Sequence, residues 1–376
     1  MLQGGVIYRR HMIFREYIEL LDDKNWKQFT VFVKNWFHDK YILTNKKFVE
    51  WQYITPFSKI TSSNILVVRI KEKIMGYLGT IPLSFNYFGE NIYGVCLANW
   101  QIDETLQSKG FGYEMLNVAL SDAQIAYTTA YKPVLEKLFE KTNWQIHSDK
   151  QEQMLVRRFV KIFDAEKVKK MIGEEDIIFD EVKNPFMSNE FEFLQIDSFN
   201  KDADSFWENV KNKYKITVNR NSKYLNWRYA NHPMFDYKLF VAKKGDVIKA
   251  FVVVRLEKAG EYTIGHIVDF AAEDNAEEFM LNAVCKWLLE QKADLADFSF
   301  TGDFHESTLE STGFKETNEE PYASIPYLFS PIDHKRRSTN FAFKIIDENL
   351  KNLGIATYNN FYITRGDCDQ DRPNPR

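Results

Sequence analysis

The stretch Leu106-Gln107-Ser108-Lys109-Gly110-Phe111-Gly112-Tyr113 stands between two different periodicities. Before it runs Val95-Cys96-Leu97-Ala98-Asn99-Trp100-Gln101-Ile102, a short apolar segment that reads as a strand. Behind it runs Tyr113-Glu114-Met115-Leu116-Asn117-Val118-Ala119-Leu120, apolar at helical spacing. A strand, a tight glycine-bearing turn and a helix N-terminus therefore follow one another. This order aims main-chain N–H groups and the positive end of a helix dipole at one point, which suits a phosphate or pyrophosphate. Gly110 and Gly112 permit close backbone approach or a positive φ, and Lys109 adds a charge. The same glycines also suit a plain turn before an ordinary helix, and the rest of the chain discriminates between the two.

A chain of 376 residues suggests two domains, each large enough for its own core. The formal net charge of −4 gives no global field that would recruit nucleic acid or an acidic membrane. Cys96, Cys285 and Cys368 are far apart and odd in number. That pattern argues against a disulfide framework or a zinc site and fits a reducing cytoplasm; no metal is expected. No run approaches the ~20 apolar residues of a membrane span. Residues 1–10 are too short and polar for a signal peptide, and Met12 offers an alternative start after a short leader.

Along the chain, Phe14, Tyr17, Ile18 and Leu21, then Phe29, Phe32, Val33 and Trp36, predict two short amphipathic helices. Ile65–Ile70 and Ile74–Phe85 read as strands, the second tolerating glycine and proline as a bulged strand does. Ala126–Tyr131 and the run from Asn143 read as strands around a short helix from Val134 to Lys141, and Met154–Val156 extends the sheet. The charged region 163–206 reads as a connector. The pattern then repeats. Asn45–Tyr53 is echoed by Asn221–Tyr229, Ile74–Leu78 by Ile248–Val252, and Ala98-Asn99-Trp100 by Val268-Asp269-Phe270. The second copy lacks the glycine turn; its counterpart, Ala271-Ala272-Glu273-Asp274-Asn275-Ala276-Glu277-Glu278, is acidic and repels a pyrophosphate. These features predict an α/β (α+β) fold of two tandem units: 1–162, a connector 163–206, and a degenerate copy with a tail, 207–376.

Gln107-Ser108-Lys109-Gly110-Phe111-Gly112 resembles the Gln/Arg-x-x-Gly-x-Gly/Ala signature of the GNAT acyl-CoA-dependent N-acyltransferases, and the flanking element order resembles theirs over about 45–150, with 215–320 as the degenerate copy. The resemblance implies that main-chain amides from Gln107 through Ser108, Lys109, Gly110, Phe111 and Gly112 to Tyr113 bind the CoA pyrophosphate. It implies that Trp100, Gln101 and Ile102 hydrogen-bond the pantetheine arm, and that the thioester lies where this strand splays from Ala126–Tyr131. An N–H near Ile102 would then polarise the thioester carbonyl. Many members carry a tyrosine in the short helix as an acid for the leaving thiolate; here Phe139 stands there, and Lys132 stands where asparagine is common, so Lys132 or solvent would serve, or no acid is needed.

The whole chain is similar to tandem-GNAT sugar N-acyltransferases, of the type that moves a 3-hydroxybutanoyl group to dTDP-3-amino-3,6-dideoxygalactose for surface polysaccharide. Asn226-Trp227-Arg228-Tyr229, His232-Pro233 and the tail Tyr362–Asn374 carry that likeness. It implies acetyl-CoA or 3-hydroxybutanoyl-CoA as co-substrate, a nucleotide-linked amino sugar as acceptor, and allows a homodimer.

In the tail, Arg365, Asp367, Asp369, Asp371 and Arg372 fall within eight residues. Carboxylates there can bind sugar hydroxyls or an amine, and arginines a diphosphate; a solvated end is the alternative. Trp227 and Arg228 can contact a nucleotide, although Trp51 in the other copy makes Trp227 a core candidate. His305 can serve as a general base or as a capping histidine, and Asp269 as a base, an amine anchor or a hydrogen-bonded structural aspartate. Direct attack by a neutral sugar amine needs no strong base. Two competing readings are an aminoacyl-tRNA-dependent peptidyl transferase, disfavoured by the intact loop and negative charge, and a non-catalytic CoA-binding module.

Overall fold

The computed structural model describes residues 14–147, 156–180, 189–318, 320–333 and 339–372. Strands Ile18–Leu20 (β1), Ile65–Ile70 (β2), Lys73–Tyr87 (β3), Glu90–Ile102 (β4), Ile125–Thr129 (β5) and Gln145–His147 (β6) belong to a first sheet. Arg157–Ile162 (β7) and Glu192–Ile196 (β8) open a second, and Ile216–Val218 (β9) returns to the first beside β3. Lys238–Lys244 (β10), Val247–Ala259 (β11), Tyr262–Ala272 (β12), Leu295–Phe300 (β13) and Lys315–Glu316 (β14) complete the second sheet. Leu328–Phe329 (β15) and Ile332–Asp333 (β16) form a small ribbon; Phe341–Ile345 (β17) and Phe361–Tyr362 (β18) end in the first sheet.

Strand order makes the duplication explicit. The first sheet runs β1-β2-β3-β4-β5-β17-β6 and the second β8-β10-β11-β12-β13-β7-β14, position for position the same. The sixth place in each sheet is filled from the other end of the chain: β17 sits between β5 and β6, and β7 between β13 and β14. The chain therefore does not divide at 162. Arg157–Ile162, read from sequence as closing the first unit, pairs in the second, while Met154 and Leu155 lie outside the described residues. The region read as a connector holds the helix Ala165–Ile172, the edge strand β8 and the start of the helix Lys201–Val210.

The repeat extends to a defect. Gly79 pairs with Ala98 and Tyr77 with Gln101, so Asn99 and Trp100 together face Leu78 in a bulge. In the second sheet Val253 pairs with Asp269 and Val254 with Ile267, leaving Val268 as the extra residue. The units also meet through a reciprocal pair. Trp51 and Trp227 stack 5.5 Å apart, and each indole N–H donates 2.9 Å to the other's main-chain oxygen.

One predicted helix is a strand. Ile18–Leu20 pairs with Leu66–Val68 along the edge of the sheet, and Phe14 and Tyr17 pack on Phe111 at 4.5 and 6.3 Å. The unpaired edge of β2 outweighs a helical spacing with only about two turns behind it. The next predicted helix forms as Trp26–Trp36 and buries Phe29, Phe32 and Val33.

Beside the tryptophan pair, His232 Nδ1 accepts N–H groups of Phe235 at 2.8 Å and Met234 at 3.2 Å, so that nitrogen carries no proton. Burial, reinforced by the Arg228 charge, pushes its pKa down to about 3. The unfolded chain takes up this proton near pH 6.5. The contribution of His232 is thus fully present above that value and is lost as pH falls toward 3. His232→Asn, which keeps an acceptor in place, is expected to flatten the fall in thermal midpoint between pH 6.5 and 4; an unchanged slope would refute the assignment.

Candidate functional site

β4 and β5 run parallel and pair only from Gly94 to Cys96 against Ile125 to Tyr127. Beyond Cys96 they part, with Thr128 Oγ1 donating 3.1 Å to Leu97 O at the fork. A cleft of about 770 Å³, solvent included, opens there. Its walls come from Asn99, Trp100 and Gln101 on β4, Thr129 at the end of β5, Ala130, Tyr131 and Lys132 beyond it, Phe37 and Tyr41 from the segment after the helix Trp26–Trp36, and Asp369, Gln370 and Arg372 from the tail.

The glycine turn adjoins this cleft. Gly110 has φ 99 and stands at the N-cap of the helix Phe111–Leu120, where no side chain caps the first turn. Anions suit such a helix start. The helix begins at Phe111, so Gly112 lies in its first turn, where a Cβ would meet Ile102 Cδ1 at 3.4 Å and Trp100 Cζ2 at 3.5 Å. Asp103 N donates to Met75 O on β3, so by strand alternation Ile102 presents its main chain to the open edge. There its carbonyl accepts from Gln107 Nε2 at 3.3 Å. Lys132 Nζ donates 2.8 Å to Gln101 Oε1.

Phe139 is buried, 4.7 Å from Trp144 and 5.1 Å from Tyr131 between ring centroids. Tyr131, a residue sequence reasoning placed only in a strand, lines the cleft, and among the described residues its buried hydroxyl has no hydrogen-bond partner. Burial pushes its pKa up, so it stays protonated. Asn99 was also missed as a site residue; the signal was its place at the end of an apolar strand, where it adopts φ 56.

The equivalent fork in the second unit is filled. β12 and β13 pair from Ile264 to Ile267 against Leu295 to Phe298. The tail then enters: Thr364 bridges Phe300, and Arg365 reaches His266 Nδ1 at 2.7 Å on one strand and Asp297 Oδ2 at 3.0 Å on the other. Asp269 is fully buried, accepting from Arg220 Nε and from the Tyr229 hydroxyl, both at 2.8 Å. Burial pushes its pKa up. Asp367 accepts from Arg220 at 2.6 Å and from Tyr224 at 2.7 Å. Arg228 Nε donates 2.5 Å to Gly366 O, with the guanidinium over the Trp51 ring. His305 is buried between Glu277 Oε1 at 2.7 Å and the Tyr214 hydroxyl at 3.3 Å, and burial lowers its pKa.

The cleft thus gathers Trp100, Gln101, Lys132, Asp369 and Arg372, with Ile102 and the turn at its edge. It does not include Asp269, His305, Trp227, Arg228, Arg365 or Asp367, read from sequence as base or acceptor-binding candidates. Asp269, Arg228, Arg365 and Asp367 are engaged in packing the tail into the second unit, His305 is held by Glu277 and Tyr214, and Trp227 stacks on Trp51 of the first unit. All three cysteines are free and buried. Among the described residues, no helix is long and apolar enough to cross a membrane and no metal-holding cluster occurs.

The sequence matches no protein-family model and no curated protein. Solved structures do match the fold. A GCN5-related N-acetyltransferase from Anabaena variabilis aligns with a TM-score of 0.58 at 9% identity, covering 87% of this chain and 72% of its own. A conserved protein from Enterococcus faecalis, described as a probable N-acyltransferase, aligns at 0.56 and 9% identity, covering 89% and 73%. Saccharomyces cerevisiae N-myristoyltransferase with bound myristoyl-CoA and inhibitors aligns at 0.50 and 13% identity, covering 87% and 80%. The shared feature is the GNAT-type fold.

Proposed function

We propose that this chain is an acyl-CoA-dependent N-acyltransferase that acylates the amine of a nucleotide-linked, in the first instance dTDP-linked, amino sugar. The observation that carries the reading is a cleft opened by the parting of β4 from β5 with a glycine-bearing helix start at its edge. The main chain from Gln107 to Tyr113 receives the pyrophosphate. Trp100, Gln101 and Ile102 receive the pantetheine arm, and the Ile102 N–H polarises the thioester carbonyl. A neutral amine attacks directly, and the departing thiolate takes a proton from Lys132, Tyr131 or solvent. With the second fork filled by the tail, the acceptor enters the first unit's cleft, and the second unit supports it.

Free-thiol release from acetyl-CoA and 3-hydroxybutanoyl-CoA with a panel of nucleotide-linked amino sugars tests this. CoA binding without thiol release from any amine would overturn it in favour of a binding module. Gly110→Val forces a β-branched residue to φ 99 and is expected to weaken CoA binding by about tenfold or more in calorimetry.

A further inference from the structure

The tail carries three aspartates, and they do not point the same way. Asp367 is held in the second unit by Arg220 and Tyr224, and Asp371 by Arg255 at 2.8 Å and Tyr237 at 2.7 Å. Between these anchors Asp369 turns to the first unit's cleft and is the one carboxylate among the described residues that line it. Its Oδ2 accepts from Arg372 at 2.9 Å. Arg372 donates onward to Asn99 and lies over the Tyr41 ring at 5.7 Å, and Asn99 Nδ2 donates 2.8 Å to the Tyr53 hydroxyl. Asn99 is on the β4 bulge, three residues and about 10 Å along the strand from Ile102. The carboxylate shares its cleft with Trp100 and Gln101, the β4 residues next to Ile102, where the acyl-transfer reading puts the thioester carbonyl.

We propose that Asp369 receives the ammonium of the acceptor, and that Asp367 and Asp371 are positioning residues that hold it there. This rests on the acyl-transfer reading above and names its acceptor end. The ammonium donates to Asp369 and loses one proton to solvent. The nitrogen lone pair then forms the C–N bond at the carbonyl carbon. The C–S bond breaks with its electrons on sulfur, which takes a proton from Lys132, Tyr131 or solvent, and the nitrogen's second proton restores that donor. The site selects amines over alcohols, since an uncharged hydroxyl leaves the carboxylate without a cation of the substrate. The flanking Asn99, Gln370 and stacked Phe37–Tyr41 rings, 4.1 Å apart, favour a polar ring-bearing amine over an apolar one.

The experiment compares wild type with Asp369→Asn and Asp369→Glu, using D-glucosamine, a dTDP-linked 3-amino sugar and a glycine-initiated peptide as amines. The expected result is a loss of about 100-fold in kcat/KM for the amine in the Asn variant, partial recovery in the Glu variant, and CoA affinity within threefold of wild type in both. Wild-type kcat/KM in the Asn variant overturns the proposal, as does a parallel loss of CoA affinity. If wild type releases thiol with none of the amines, the acyl-transfer reading fails separately and Asp369 is judged by calorimetry. Saturable amine binding lost in the Asn variant supports it; binding retained, or absent from wild type, overturns it.

Discussion

Arg220→Met is expected to destabilise the protein by about 3–5 kcal/mol at pH 7, the cost typical of removing one partner from a buried ion pair. Arg220 is completely buried. It donates to Asp269, Asp367, Thr217 and the Val218 carbonyl, and its guanidinium lies 4.9 Å from the Tyr362 ring. Methionine fills much of the volume but leaves two carboxylates facing each other in the filled fork. Asp269 already has its pKa pushed up by burial, with the Asp367 charge adding to the rise and Arg220 opposing it. Without the guanidinium that rise grows. A buried carboxyl with a raised pKa is destabilising where it is ionised, so protonation as pH falls relieves it. The deficit relative to wild type should therefore shrink between pH 7 and 5. Urea unfolding at both values checks magnitude and sign; a deficit that is constant with pH would place the damage in packing instead.

The turn at Gln107–Gly112 and the duplicated unit were legible because each rests on local chemistry: glycine tolerance, strand alternation and an echo of residue types; the bulge was expected on Ile74–Phe85, and its extra residue lies on β4 instead. The exchange of β7 and β17 was not. Arg157-Arg158 and Phe341-Ala342-Phe343 carry no local sign of which sheet they join. Long-range partners decide it, such as Glu316 for Arg157 and Asp297 for Arg158. The same limit left Asp269, His305, Arg228 and Arg365 open between a site role and a structural one. Polar residues near a fork look functional in sequence, and only the three-dimensional course of the tail shows that one fork is filled while the other is open. Trp227 was weighed as a core residue because its counterpart Trp51 sits in the echo, and in the structure the two stack, half-buried against the core. A homodimer and the dTDP sugar have no such local handle and stay with the proposed function.

Deleting residues 365–376 is expected to cost at least about 5 kcal/mol, enough to unfold many domains outright. The deletion removes Arg365 from Asp297, Asp367 from Arg220 and Asp371 from Arg255, and strips Arg228 of the Gly366 and Cys368 carbonyls. Each broken pair alone would cost 3–5 kcal/mol in a closed interior. Water entering the vacated fork hydrates the orphaned ions, so the costs do not simply add. Tyr127, whose hydroxyl donates to Asp367 O, also loses its partner, which carries the damage into the first unit. The truncated chain should therefore lose the cooperativity of its thermal transition and expose apolar surface to a hydrophobic dye. A chain that keeps a sharp transition within a few degrees of wild type would show the tail to be a removable insert, leaving the second fork as an open pocket. Adding the synthetic 365–376 peptide in trans separates the two accounts further: recovery of the transition with the native peptide, and not with one carrying Asp367→Asn and Asp371→Asn, is the outcome the buried ion pairs require.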